Sequence, residues 1–304
     1  MQFSAWPSVT NPWQDLAEET QHIEAAGWKG IWIGDHFMVN AADTSGRWQE
    51  AWTVIAGLAA LTSTLRLGTL VTGNTYRYPP ILAKMVAQAD VISNGRVTLG
   101  IGAGWQENEH IAYDVPFYTA PMRLQRLEES VQILRSLFDN PVTNFDGRHY
   151  KIVDAPLNPK PVQPRLPILI GGGGEKVTLR LVARYADAWN VASPAEEWAR
   201  KSRILDEHCE RAGRDPKTVH RTAAVLVSPG DPSQSGRFTN FSKLPDLVDL
   251  LTPFADAGVD EMIVHFNPTL PLGERKGLWT AFQDEVAPAF GEQQAPGNKH
   301  HGSR

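Results

Sequence analysis

A histidine at the end of a buried strand can move a proton near neutral pH, and His36 occupies such a place. It follows the run Gly30-Ile31-Trp32-Ile33-Gly34-Asp35, whose near-continuous apolar character suits a strand covered on both faces. Asp35 beside it is placed to orient the ring or to hold its cationic form. The plain alternative is a histidine that closes the strand through backbone hydrogen bonds. Position at a strand end favours the chemical reading.

Glycine supplies the other candidates. Leu70-Val71-Thr72 runs into Gly73-Asn74, a pattern that suggests either a bulge where backbone approaches a ligand or an ordinary strand-to-helix turn. Gly100-Ile101-Gly102-Ala103-Gly104-Trp105 follows another strand but lacks the third glycine of a dinucleotide fingerprint, because Gln106 and Glu107 come next. Its spacing lets a flat ring lie against the main chain around Ala103 and Gly104, with Trp105 as a wall and Asn108 hydrogen-bonding a ring edge. The run Gly171-Gly172-Gly173-Gly174 before a helix expected from Glu175 frees backbone N–H groups for an anion such as a phosphate. It is not a P-loop, and the plain alternative is a flexible loop. Arg77 is either an anion partner or a solvated loop arginine.

Other chemistries lack their signatures. The sequence has no Gly-x-Ser-x-Gly elbow, and Cys209 sits in a helical segment with no base at a strand end. His149, His220 and His265 are scattered, so no metal site is expected.

These residues must be held by something, and the chain's rhythm says what. Apolar runs at residues 2–6, 30–35, 65–73, 97–102, 167–170, 188–192, 220–227 and 261–266 alternate with helix-length amphipathic segments. The first four begin about 30 residues apart, and the fifth starts about 70 residues after the fourth. That gap holds a helix with Leu124, Leu127, Val131, Leu134 and Phe138 in 3-4 spacing and a hairpin around Asp146-Gly147. Eight strands in alternation with helices over about 290 residues predict a (β/α)8 TIM barrel with an insertion between strands 4 and 5. The candidate residues then fall on the C-terminal face, where barrel enzymes keep their sites. Residues 1–290 form the expected single domain, and 291–304 a polar, disordered tail.

Composition agrees and excludes. The 304 residues carry 29 Lys+Arg against 34 Asp+Glu, a net charge of −5, with no basic cluster to suggest nucleic acid. No stretch approaches the roughly 20 apolar residues of a membrane span. A single cysteine and an N-terminus without signal-peptide features point to the cytoplasm. Ten tryptophans exceed ordinary core needs and hint at a broad apolar pocket. Trp32 and Trp189 are expected in the core, Trp105 and Trp48 at the pocket.

In this order and spacing the sequence resembles the luciferase-like monooxygenase superfamily, in its coenzyme F420-dependent branch. The resemblance runs over residues 1–290. It rests on Ile31-Trp32-Ile33-Gly34-Asp35-His36-Phe37, on Leu67-Gly68-Thr69-Leu70-Val71-Thr72 with Tyr76-Arg77-Tyr78-Pro79, and on Asp90-Val91-Ile92-Ser93-Asn94-Gly95-Arg96 leading to Gly102-Ala103-Gly104-Trp105. Gly171-Gly172-Gly173-Gly174 with Ala186-Asp187-Ala188-Trp189-Asn190 completes it. The resemblance implies a luciferase-like (β/α)8 barrel and hydride transfer between coenzyme F420 and a small organic substrate. His36 would carry the proton, aided by Asp35. It implies a non-proline cis peptide near Leu70-Val71-Thr72, ring contacts from Ala103, Gly104 and Asn108, and a phosphate-side loop at Gly173-Gly174. An exit for the coenzyme's acidic tail would draw on Arg77, Lys84, Lys176 or Arg180, for which surface salt bridges are an equal explanation. Trp105 stands where sugar-phosphate enzymes of the group place an acidic glutamate. Glu107 and Glu109 read as out of register, which suggests a more apolar pocket. Alternatives on the same barrel are an FMN-dependent monooxygenase using dioxygen and a non-catalytic flavin-binding protein. The family leads one to expect a homodimer.

Overall fold

Short apolar runs spaced by amphipathic helices must cover both faces of a parallel sheet, and this chain does so by closing the sheet on itself. In the computed structural model, which describes residues 1–291, the first strands are β1 (Gln2–Ala5), β2 (Gly30–Ile33), β3 (Arg66–Thr69), β4 (Thr72–Gly73) and β5 (Val97–Gly102). A hairpin of β6 (Val142–Asp146) and β7 (Lys151–Pro156) follows. Then come β8 (Ile168–Gly171), β9 (Ala188–Val191), β10 (His220–Pro229), β11 (Thr239–Phe241) and β12 (Glu261–Phe266). Parallel pairing runs β1-β2-β3-β5-β8-β9-β10-β12 and returns from β12 to β1, closing an eight-stranded barrel. The outer helices are α1 (Trp13–Ala25), α2 (Ala51–Leu61), α3 (Pro79–Ser93), α4 (Glu107–Ala112), α5 (Ala120–Asp139), α6 (Thr178–Tyr185), α7 (Ala195–Arg211), α8 (Leu247–Asp256) and α9 (Leu272–Glu285). The (β/α)8 barrel expected from the strand rhythm is therefore the fold, with α4, α5 and the hairpin inserted between the fourth and fifth barrel strands. The expected tail lies outside the described residues. Among the described residues no helix is long and apolar enough to cross a membrane.

Strand alternation decides which residues fill the barrel. In β2, Ile31 and Ile33 join the large core beneath the helices, while Trp32 belongs to a second cluster with Leu169, Ala188, Ala224 and Ile263. Fully burying side chains of this size is worth about 1.5–3 kcal/mol each. The indole of Trp32 donates to the buried carboxylate of Glu261 at 3.0 Å. Glu261 also accepts from Arg66 at 2.7 Å and from His220 at 2.9 Å. Burial alone would raise this carboxyl, but hydrogen bonds from His220 and Arg66 hold it down at about 2. Glu261 opens β12, so this polar knot plugs the end of the barrel away from the strand C-termini.

The insertion is tied down in the same way. Leu127, Val131 and Leu134 of α5 are fully buried and Leu124 is half-buried, as their spacing predicts. The buried carboxylate of Asp90 on α3 accepts from the N–H groups of Val97 and Val162 and from the side chain of Gln163.

One expected element is broken. Residues 65–73 form two short strands rather than one, interrupted at Leu70-Val71, whose peptide bond is cis.

Candidate active site

The interruption at Val71 shapes the upper barrel. A β-carbon on Gly100 would stand 1.8 Å from the Thr69 carbonyl oxygen, and one on Gly171 would stand 2.9 Å from a methyl of Val71. Both glycines are therefore required by close approach of the neighbouring strand. Val71 is pressed between β5 and β8, and above it opens a cavity of about 390 Å³. Leu70, Val71, Ala103, Gly104, Gly171 and Gly172 line it with aliphatic side chains and glycine backbone, and His36, Tyr76 and Asn190 add polar groups. Apolar walls with a few polar groups among them suit a largely apolar ring system.

His36 stands three residues beyond the end of β2, with its side chain 17% exposed. Its Nδ1 lies 2.7 Å from a carboxylate oxygen of Glu109, a fully buried residue on α4. Tyr76 donates its hydroxyl to the same oxygen, and the other oxygen accepts from the Phe37 N–H at 2.7 Å. Burial would raise the Glu109 carboxyl, but the hydrogen bonds from His36, Phe37 and Tyr76 outweigh it and hold it below the ordinary carboxylate value. Burial and the same carboxylate push the Tyr76 phenol far above its usual range, so it stays a donor. An ionised carboxylate only accepts, so Nδ1 of His36 carries a hydrogen, and in the neutral ring Nε2 holds the lone pair.

A second chamber of about 680 Å³ adjoins the first. The two share Trp6, His36, Leu70 and Trp105, so His36 stands at their junction. Trp48 and Trp105 meet the imidazole edge-to-face, each at 5.5 Å. Trp105 is 62% exposed and walls both spaces. Arg237 contributes the one lysine or arginine to the outer lining among the described residues.

Several expectations change. Asp35 does not reach His36. It is buried and paired with Arg77 at 2.7 and 3.1 Å. Burial pushes its carboxyl up while the Arg77 guanidinium opposes. Arg77 also contacts Glu50, whose carboxylate caps α2 through the N–H groups of Trp52 and Thr53. Arg77 is thus neither a solvated loop residue nor a free anion partner. It neutralises the carboxylate under the strand end. Asn108 faces away from the ring cavity and donates to the Val39 carbonyl at 3.1 Å, while Gln106 donates to Met38 at 3.0 Å. Together with Glu109, these residues make α4 a clamp on the loop that follows His36. Thr72 is buried and accepts from the Trp52 indole, so its hydroxyl does not line the cavity. Gly173 and Gly174 lie outside the lining, and the Gly173 carbonyl accepts from Lys201 at 2.8 Å. The helix after the run starts at Thr178 rather than Glu175. Arg180 is paired with Glu128.

Glu109 and Tyr76 are the residues that sequence reading missed. Glu109 is out of register with the position, occupied by Trp105, where the resemblance places a glutamate, and its short helix α4 carries no apolar period to point to it. Its signal was the paired acids Glu107 and Glu109 in a first helical turn, where carboxylates are favoured.

Residues 1–237 match the family described as luciferase-like monooxygenase. The chain is 34% identical over 220 residues to an F420-dependent glucose-6-phosphate dehydrogenase of Amycolatopsis mediterranei, covering 71% of this chain and 65% of the relative. It is 30% identical over 223 residues to an F420-dependent hydroxymycolic acid dehydrogenase of Mycobacterium tuberculosis, covering 73% of this chain and 61% of the relative. The alignments thus span somewhat less than two thirds of these relatives. An F420-dependent secondary alcohol dehydrogenase solved with an F420-acetone adduct superposes with a TM-score of 0.84 at 19% identity, covering 96% of this chain and 99% of that one.

Proposed function

The chain belongs to the luciferase-like monooxygenase family, and from that premise we propose that it is an oxidoreductase passing a hydride between coenzyme F420 and a small organic substrate, a secondary alcohol in the oxidising direction. The observation that carries this reading is His36 at the junction of two chambers, with Nδ1 engaged by Glu109 and Nε2 left for a substrate. The F420-dependent relatives support the choice of coenzyme.

Leu70, Val71, Ala103, Gly104, Gly171 and Gly172 would hold the ring system, which supplies the hydride acceptor or donor when bound. The chain's own residues do the rest. Nε2 of His36 takes the hydroxyl proton as the carbinol carbon loses its hydride, leaving a carbonyl. Glu109 keeps the imidazole in the accepting tautomer and stabilises the cation that forms. Tyr76 fixes the carboxylate. Trp6, Trp48 and Trp105 wall the junction with apolar surface and limit water there. With a single arginine in the outer lining, the chamber favours an uncharged substrate over a sugar phosphate.

We also read the protein as a homodimer, supported by the exposed Tyr78, Ile81 and Ile92 along α3, and as cytoplasmic, supported by its single, buried cysteine. The deciding experiment is direct titration of the apoprotein with F420 and with FMN. Micromolar binding of F420, followed by its reduction in the presence of a secondary alcohol, is expected. Binding of FMN alone would make the chain a flavin monooxygenase or a flavin-binding protein instead.

A further inference from the structure

We infer that the outer chamber selects its substrate through a second hydrogen bond, donated by the substrate to Nε2 of His265, so that the preferred substrate is an uncharged, largely apolar alcohol with a second hydroxyl or N–H group. The inference rests on the dehydrogenase reading and deepens it. His265 is the penultimate residue of β12, the barrel strand next but one to β2, which leads into His36. It is 6% exposed and sits between Trp6, at 4.9 Å between ring centroids, and Phe238, at 5.7 Å and nearly parallel.

Its Nδ1 lies 2.6 Å from the Trp6 carbonyl oxygen. A carbonyl only accepts, so Nδ1 carries the hydrogen and Nε2 carries the lone pair. Burial and the nearby Arg237 outweigh the Trp6 hydrogen bond and hold the ring neutral, with a pKa of about 4. Nε2 has no protein partner among the described residues and is not sealed off, so it opens onto the chamber that His265 lines.

A buried acceptor fixed by its other nitrogen, stacked on Phe238 and in contact with the tilted Trp6 ring, is oriented by its surroundings. An apolar substrate that cannot donate leaves it unsatisfied, while one that donates removes that cost. A carboxylate would set its own lone pairs against this nitrogen, so charge is disfavoured at this point even though Arg237 lies nearby.

The test compares cyclohexane-1,2-, -1,3- and -1,4-diols with their mono-methyl ethers, which lack the second donor, using cyclohexanol as a baseline. With the F420-loaded enzyme, at least one diol should exceed its ether in kcat/KM by roughly ten-fold or more. In His265→Phe that ratio should fall to within twofold of one, whatever happens to the cyclohexanol rate. A general packing defect, including loss of the Trp6 contact, would lower diol and ether together and leave the ratio unchanged. A ratio near one for every pair in the native enzyme overturns the inference, as does a ratio preserved in His265→Phe. Preference for 4-hydroxycyclohexanecarboxylate over the diols also overturns it, because Arg237 would then set the selection. If none of the alcohols reduces F420, the dehydrogenase reading fails. Quenching of tryptophan fluorescence by diols and ethers then reads the chamber separately: stronger binding of a diol, lost in His265→Phe, upholds the inference, and equal binding refutes it.

Discussion

Glu109→Gln isolates the electrostatic part of the proton relay, because it removes a charge and leaves the shape. In the native site one carboxylate oxygen accepts from the Phe37 N–H and the other from His36 and Tyr76. The Phe37 N–H can only donate, so the glutamine oxygen must face it and the amide nitrogen must turn toward His36. That nitrogen also only donates, so Nδ1 of His36 must become the acceptor and the ring hydrogen must move to Nε2. The nitrogen aimed at the substrate is then occupied and cannot take a proton. Loss of the correct tautomer, together with loss of stabilisation of the cation, is expected to lower kcat for alcohol oxidation by about 10²–10⁴-fold, equivalent to about 3–5 kcal/mol in the barrier. F420 affinity should stay within about threefold, since Glu109 does not line the ring cavity. The fold should lose only about 1–3 kcal/mol from weakened hydrogen bonds. The assay is anaerobic mixing of enzyme, F420 and a secondary alcohol, followed by loss of oxidised deazaflavin absorbance, with cofactor binding measured separately. Turnover within threefold of the native enzyme, with F420 still bound, would refute the assignment of Glu109 as the tautomer-setting group.

Arg77→Met strands the buried carboxylate of Asp35 and should destabilise the protein by about 3–5 kcal/mol in urea unfolding, with part of the loss recovered in Arg77→Met/Asp35→Asn. An unchanged midpoint would mean that the pair contributes nothing. Gly171→Ala places a methyl 2.9 Å from Val71 and should cost about 1–3 kcal/mol while weakening F420 binding, which calorimetric titration reads directly. Glu261 is held at about 2 against an ordinary 4.5, so its contribution is complete above pH 4.5 and is lost as pH falls toward 2. The shift corresponds to about 3 kcal/mol, and urea midpoints measured from pH 6 to pH 3 should fall in the native protein but much less in Glu261→Gln.

The sequence carried the barrel because each strand is a short apolar run with helix-length spacing, and those two periods survive any tertiary detail. His36, Leu70, Val71, Ala103, Gly104, Gly171 and Gly172, all in the cavity lining, were legible as candidates because strand ends and glycines mark themselves. Partnership was the illegible part. Asp35 adjoins His36 in sequence, yet both lie in the loop just beyond β2, where the chain sends their side chains to different partners. Its carboxylate turns outward to Arg77, and the partner of His36 comes from 73 residues further along the chain. Glu109 could be found only through a six-residue polar helix whose purpose is to clamp the Phe37–Val39 loop, and a helix with no apolar face leaves no period to read. His265 was dismissed as scattered for the same reason. It belongs to a strand last in sequence that lies beside the first, and barrel closure brings it to the Trp6 carbonyl 259 residues away. The residues proposed to set protonation and selectivity in this site are therefore joined by ring closure and by an insertion, the two features that local sequence pattern encodes least.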